Sequence, residues 1–465
     1  MFRLTSLFIS LSIALFAFSQ SATDIFTKNS SLQHANISIL VKDANTGKTL
    51  YQHRAGNSGV PASTMKLVTT ATALELFGAD FRFKTSLAYD GNISTDSVLN
   101  GNLYIIGGGD PTLGSTKVGE PEFLTNWTTA IRSAGIKVIN GQILTEENIF
   151  DRQAANPRWL WEDIGNAYAP GIHSISYLDN ALRVVFKTAA IGTTPEIVRT
   201  EPVIEGLAFD NNLKATSITY DKGYFYGEPF SLRRSIYGEI PANRAEFVVR
   251  SDIPHPAVVL VNSLSQELVK QDFAVENKFL PLGTKQVFHT HVSPPLSEII
   301  TEINTKSNNH YAEYLFRQLG TRVGTPATVD NSLKTIRDFW QSKSLPVAQL
   351  FQCDGSGLSP VNGVSSEFLV ALLNYMRNKS TNYTTFYESL AIAGESGTLE
   401  PLLRNTALKG KVYAKSGTLS RVKSYSGYVD YKDKSLIFAI IVNNYNGSQY
   451  AVIKLVEDFL VKITE

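Results

Sequence analysis

A single cysteine, Cys353, stands among 465 residues. No intramolecular disulfide can form, so the folded chain rests on its apolar cores alone. No charge of one sign dominates either. Forty-three Lys plus Arg face 42 Asp plus Glu, which leaves no basic excess to neutralise phosphates and excludes nucleic acid as the natural partner. The seven His include no pair at ligand spacing beside a carboxylate. His289 and His291 lie in an alternating, strand-like run and read as structural, so we expect no metal and no cofactor. Beyond the N-terminus no uninterrupted apolar run approaches the roughly 20 residues that a membrane-spanning helix needs. Internal repeats and low-complexity linkers are missing too.

What is present begins with a leader. MFRLTSLFISLSIALFAFSQSA carries one positive charge at Arg3, an uncharged apolar run from Leu4 to Phe18, and small or polar residues after it. This is the pattern of a secretory signal, here residues 1–22, with cleavage between Ala17 and Thr23. No cysteine marks a lipid-anchoring site, so the mature chain is expected to be exported without an integral membrane segment. An exported protein without disulfides suits a bacterial periplasm.

The full chain has 43% hydrophobic and 11% aromatic residues, enough for more than one core. Strands are expected at 36–42 and 48–54 around an Asn-Thr-Gly turn, then an apolar helix from Ser63 to near Gly78. From about 82 to 290 the character changes to short alternating strands with helices near 121–134 and 256–273. Helical periodicity returns after that, and the chain closes with two strands and an amphipathic helix. The pattern predicts an α+β fold: one mixed domain built from residues 23–85 and 291–465, whose ends share a sheet, interrupted by a β-rich insertion at 86–290.

Three short motifs carry chemistry. In "PASTMKLVTT" Ser63 and Lys66 stand three apart at the start of the helix, on one face, so the amine can reach the hydroxyl. A lone serine there is ordinarily a helix cap; with a buried, neutral lysine beside it, it can instead be a nucleophile. "SNN", Ser307 to Asn309, reads alone as a polar loop capping the next helix. "KSGT" ends a strand: Gly417 lets another backbone approach, while Lys415, Ser416 and Thr418 supply a cation and two hydroxyls able to hold a carboxylate. "DGSGLS" at 354–359 and "GGGDPTLG" at 107–114 are glycine-rich turns, and neither Asp354 nor Ser356 receives a chemical role.

Together, in the order S-x-x-K, S-x-N, K-[ST]-G, these motifs match the signature of penicillin-interacting serine enzymes. The long interval from Ser63 to Ser307 separates the chain from compact β-lactamases. With "STMKLVTTATALELFGADFRFKT", "GGGDPTL", "SNNHYAEYLFRQLG", "DGSGLS", "GTLEPLL" and "KSGTLSRVKSYSGYV", nearly the whole mature chain resembles the D-alanyl-D-alanine carboxypeptidase/endopeptidase family, the class C low-molecular-mass penicillin-binding proteins of the penicillin-binding protein 4 type. The resemblance implies a serine β-lactamase/DD-transpeptidase-like domain, a central antiparallel sheet with helices, interrupted by the insertion. It also implies that Ser63 attacks the carbonyl between two terminal D-alanines of a peptidoglycan stem peptide, with Lys66 as base. Ser307 would relay the proton, Asn309 would bond the substrate backbone, and Lys415, Ser416 and Thr418 would bind the terminal carboxylate. The oxyanion hole would be the Ser63 and Thr418 amides, with Gly417 allowing the close approach. Asp163 and Tyr168, in "WEDIGNAYAP", match the family's binding site for the side chain of the third stem residue, diaminopimelate. β-Lactams are implied as covalent inhibitors.

Two other readings share these residues. A class A β-lactamase needs a general-base Glu between the second and third motifs; Glu367, Glu388, Glu395 and Glu400 lie there, none in an E-x-x-L-N setting. A non-catalytic peptidoglycan-binding or β-lactam-sensing module would keep Ser63 and Lys66 and lose turnover.

Overall fold

The run "LIFAIIVN" has no polar alternation, as expected of a strand covered on both faces. In the structure, a computed structural model that describes residues 22–465, it forms Lys434–Asn443, an inner strand of a six-stranded sheet. The order is Thr49–His53, Asn36–Asp43, Lys434–Asn443, Val422–Tyr431, Val412–Leu419, Ala391–Ile392. Every neighbouring pair is antiparallel, and the N-terminal hairpin joins the C-terminal strands as the sequence implied. Ile37, Ile39 and Val41 pack with Phe438, Ile440 and Val442 into one core. The closing helix Gln449–Thr464 adds Phe459 and Leu460 to it. Most of the expected leader, residues 1–21, lies outside the described residues. Ala22 opens a short helix, 22–27, whose Phe26 meets Phe459 edge-on at 5.4 Å.

This sheet belongs to the first of two compact units, made of the chain up to Asp80, Leu296–Asn308 and Leu333–Glu465. Within it the helix Lys66–Phe77 has nine buried residues and ends at Gly78; it packs against the helix Leu296–Lys306. Ser365 caps the helix Ser366–Lys379 by accepting from the Phe368 amide, the usual way to satisfy an orphan N–H.

The second unit comprises Phe81–Pro295 and Asn309–Ser332. It holds short sheets, among them Gln286–Val292, Lys84–Tyr89, Leu103–Ile106 and Ile143–Glu146 in that order. Two helices, Phe123–Ser133 and Pro256–Lys270, cover them, with Trp127, Leu260 and Leu264 in the core. The helix Asn309–Gly320 also belongs here, since its Tyr314 packs with Phe150, Ile172 and Ala327. The division expected from the sequence puts that helix with the C-terminal part instead. Among the described residues no helix is long and apolar enough to cross a membrane.

Candidate active site

Ser63 does not cap the helix it precedes. Ala62–Met65 is a 3-10 turn whose capping residue, Pro61, makes no side-chain cap bond, and the α-helix begins at Lys66 behind Met65, also without one. The hydroxyl instead meets Lys66, whose Nζ donates to Ser63 Oγ at 3.1 Å and to the Ser356 carbonyl at 2.7 Å. Lys66 is fully buried. Ala62 has φ 48° and Ser307 φ 63°, left-handed values that cost of order 1–3 kcal/mol each for residues with a Cβ and concentrate at functional sites.

The turn "DGSGLS", without a role in the sequence, holds Lys66 in place. Asp354, fully buried, accepts from the amides of Gly357 and Ser359 and from Asn362 Nδ2 at 2.7–2.8 Å. Thr69 of the helix Lys66–Phe77 donates to Gly355 O at 2.8 Å, which ties the turn to the helix that Lys66 opens. Gly357 has φ +81°, and a Cβ there would lie 1.8 Å from Ala62 O, so glycine alone lets the turn approach Ser63. The glycine-rich composition was visible in the sequence; the lysine it serves was not.

The third motif lies on Val412–Leu419. Lys415, also fully buried, donates to Ser307 Oγ at 2.9 Å and to Ser416 O at 2.7 Å. Burial holds its ammonium well below the usual lysine range, with help from the charges of Lys66 and Lys423. Ser416 Oγ donates to Thr398 Oγ1 at 2.8 Å, while Thr418 is exposed. A Cβ at Gly417 would sit 2.4 Å from Pro61 O and 3.0 Å from the Ser63 amide nitrogen. The strand therefore runs against the backbone of Pro61 and Ser63, and the missing side chain is what permits it. Ser63, Lys66, Ser307, Lys415, Ser416, Gly417 and Thr418 thus fall in one unit. A hydroxyl beside a buried amine, with a second buried cation and a backbone amide at hand, can carry out acyl transfer.

Asn309, Asp163 and Tyr168 group in the second unit. Tyr168 OH donates to Asp163 Oδ1 at 3.1 Å, and Asn309 Nδ2 donates to Tyr168 O at 2.9 Å. Asp163 is nearly buried and Tyr168 half exposed. Burial first, and then the Asp163 carboxylate, push the Tyr168 phenol above its usual range. The bond from Asn309 to the Tyr168 backbone had no signal in the sequence. Among the described residues no group of three or more His, Cys, Asp or Glu could hold a metal ion.

Comparison with known proteins gives the same direction. A D-alanyl-D-alanine carboxypeptidase from Actinomadura sp. (strain R39) is 29% identical over 443 residues, 91% of this chain and 80% of its own. D-alanyl-D-alanine carboxypeptidase DacB from Haemophilus influenzae is 23% identical over 432 residues, 89% of this chain and 86% of its own. The crystal structure of penicillin binding protein 4 from Haemophilus influenzae superposes with a TM-score of 0.81 at 20% identity, covering 96% of this chain and 99% of that one. Its complex with a β-lactam superposes with a TM-score of 0.76. These likenesses establish the α+β fold. The model of the D-Ala-D-Ala carboxypeptidase 3 (S13) family matches residues 19–464, and the chain belongs to that family of serine-type D-Ala-D-Ala carboxypeptidases.

Proposed function

We propose that the reaction runs through Ser63 and that the protein acts in the periplasm on peptidoglycan stem peptides. The observation that carries this reading is the contact of Lys66 Nζ with Ser63 Oγ at 3.1 Å, in a unit where Lys415 engages Ser307 at 2.9 Å. Lys66 Nζ takes the Ser63 proton as Oγ attacks the carbonyl between the terminal D-alanines. The tetrahedral oxyanion is received by the backbone N–H groups of Ser63 and Thr418, each donor worth roughly 3 kcal/mol by analogy with other acyl-transfer sites. Ser307, tied to Lys415, passes the proton to the leaving D-alanine amine. Water then releases the shortened peptide from Ser63, with Lys66 again as base.

Lys415, Ser416 and Thr418 hold the terminal carboxylate. In the second unit, which contains most of the inserted segment at 86–290, Asp163 and Tyr168 receive the diaminopimelate side chain and Asn309 bonds the substrate backbone. β-Lactams acylate Ser63. Export rests on the leader at residues 1–22.

The test is mass spectrometry of crosslinked muropeptides incubated with the mature protein and with Ser63→Ala. Release of D-alanine or cleavage of dimers by wild type alone upholds the reading. Intact substrates alongside penicillin acylation of wild type would reassign the protein as a β-lactam sensor.

A further inference from the structure

Lys423 plays no part in the acyl-transfer mechanism, and it is a buried cation without an anion. It is 6% exposed, and among the described residues no carboxylate forms an ion pair with it. Burying an unpaired ammonium is costly, so an arrangement that keeps one beside a reactive site calls for a ligand. Its neighbours are specific. In the antiparallel pairing of Val412–Leu419 with Val422–Tyr431, Lys423 stands opposite Thr418 and Tyr425 opposite Ser416. Lys423 Nζ donates to Thr418 Oγ1 at 2.7 Å and lies 5.2 Å from the centre of the Tyr425 ring. Lys415 feels its charge.

A threonine hydroxyl has one proton and two lone pairs, whereas an ammonium can only donate. The bond from Lys423 therefore takes a lone pair of Thr418 and leaves the threonine's own proton to be donated outward, on the exposed side. We propose that Lys423 is a positioning residue that fixes the Thr418 hydroxyl as a donor and so selects substrates with a free terminal carboxylate over those ending in a carboxamide. This rests on the reading of Ser63, Lys66 and Lys415 as the acyl-transfer site. Burial brings the Lys423 ammonium down to about 8, so at neutral pH the selecting form is charged, and it is lost at alkaline pH.

The experiment compares wild type, Lys423→Met and Lys423→Arg on a peptide ending in D-Ala-D-Ala and on its C-terminal carboxamide. KM and kcat are followed from about pH 6 to about pH 10. Wild-type KM for the carboxylate is expected to rise above about pH 8, where the ammonium titrates. Lys423→Met should raise KM about tenfold at neutral pH, leave kcat within about twofold and abolish the alkaline rise. Lys423→Arg, which keeps the charge, should restore the low KM and hold it through the alkaline range. The preference for carboxylate over carboxamide should shrink in Lys423→Met alone. A Lys423→Met enzyme with the wild-type KM, pH profile and preference would overturn the proposal. Should that variant not fold, Thr418→Val supplies the same test, because it must remove the alkaline rise with Lys423 still present. Ser63→Ala runs in parallel: acylation of that variant by penicillin would sink the underlying site, an outcome separate from failure of Lys423 alone.

Discussion

Asp110, in the glycine-rich turn "GGGDPTL", is fully buried with one carboxyl oxygen satisfied and the other not. Oδ1 accepts from the Thr112 amide at 2.8 Å and from its hydroxyl at 2.7 Å, while Oδ2 has no partner. Burial outweighs those two bonds and pushes the carboxyl up to about 6 from an ordinary 3.8. A folded pKa raised above the unfolded one contributes stability that is complete below about pH 4 and is lost as pH rises through about 6. Asp110→Asn keeps an acceptor for Thr112 and removes the ionisation. We expect it to melt like wild type near pH 4 and to be more stable near pH 7.5 by up to about 3 kcal/mol. Thermal unfolding at the two pH values decides, and equal pH dependence in both proteins would show that another group carries the effect. Lys423 works in the opposite sense. Its folded pKa is depressed, so its contribution is full above about pH 10.5 and falls as pH drops towards about 8. Lys423→Met is therefore expected to melt no lower than wild type at neutral pH, which separates a positioning residue from a structural one. Of these residues the sequence displayed identity alone. A carboxyl in a tight turn reads as a surface group, and only its surroundings in the fold show one oxygen stranded.

Among elements, the 3-10 turn Ala62–Met65 and the turn at 354–359 act as a pair. The spacing of Ser63 and Lys66 was legible because three residues nearly complete a helical turn, whatever the rest of the chain does. The boundary at Gly78 was legible from glycine after an apolar run. What held Lys66 was not, since Ser356 O arrives from far along the chain. Gly357→Ala tests the pairing. A methyl group 1.8 Å from Ala62 O, at a left-handed φ, must displace one turn from the other. Penicillin acylation is expected to slow at least about 100-fold, as small misplacements of reacting groups do, with the fold retained by circular dichroism. Acylation at the wild-type rate would mean that the turn does not set the position of Ser63.

At the scale of the whole molecule, the chain leaves the first unit after Asp80 and returns at Leu296, and the two ends touch: Ser297 N donates to Ala79 O at 3.0 Å. Deleting 81–295 would therefore close without strain, and on sequence grounds it looks like removal of a self-contained insertion. The helix Asn309–Gly320 argues otherwise, because Tyr314 packs with Phe150 and Ile172 and Tyr311 bonds Ser115 at 2.7 Å. The deletion is expected to leave an apolar helix face uncovered and to yield aggregates on size-exclusion chromatography. A monodisperse, penicillin-reactive product would show that the first unit folds alone. By itself the sequence determined the features that local periodicity and residue chemistry dictate: the end strands and the apolar run of an inner one, the helix behind Ser63, the three motifs and their order, and the family they point to. Tertiary structure alone decided which unit claims residues 309–332, that Asp354 and Ser356 serve Lys66, and that Lys423 stands buried opposite Thr418 on the neighbouring strand. Those outcomes depend on contacts between residues remote in the chain, and packing rather than local propensity selects such contacts.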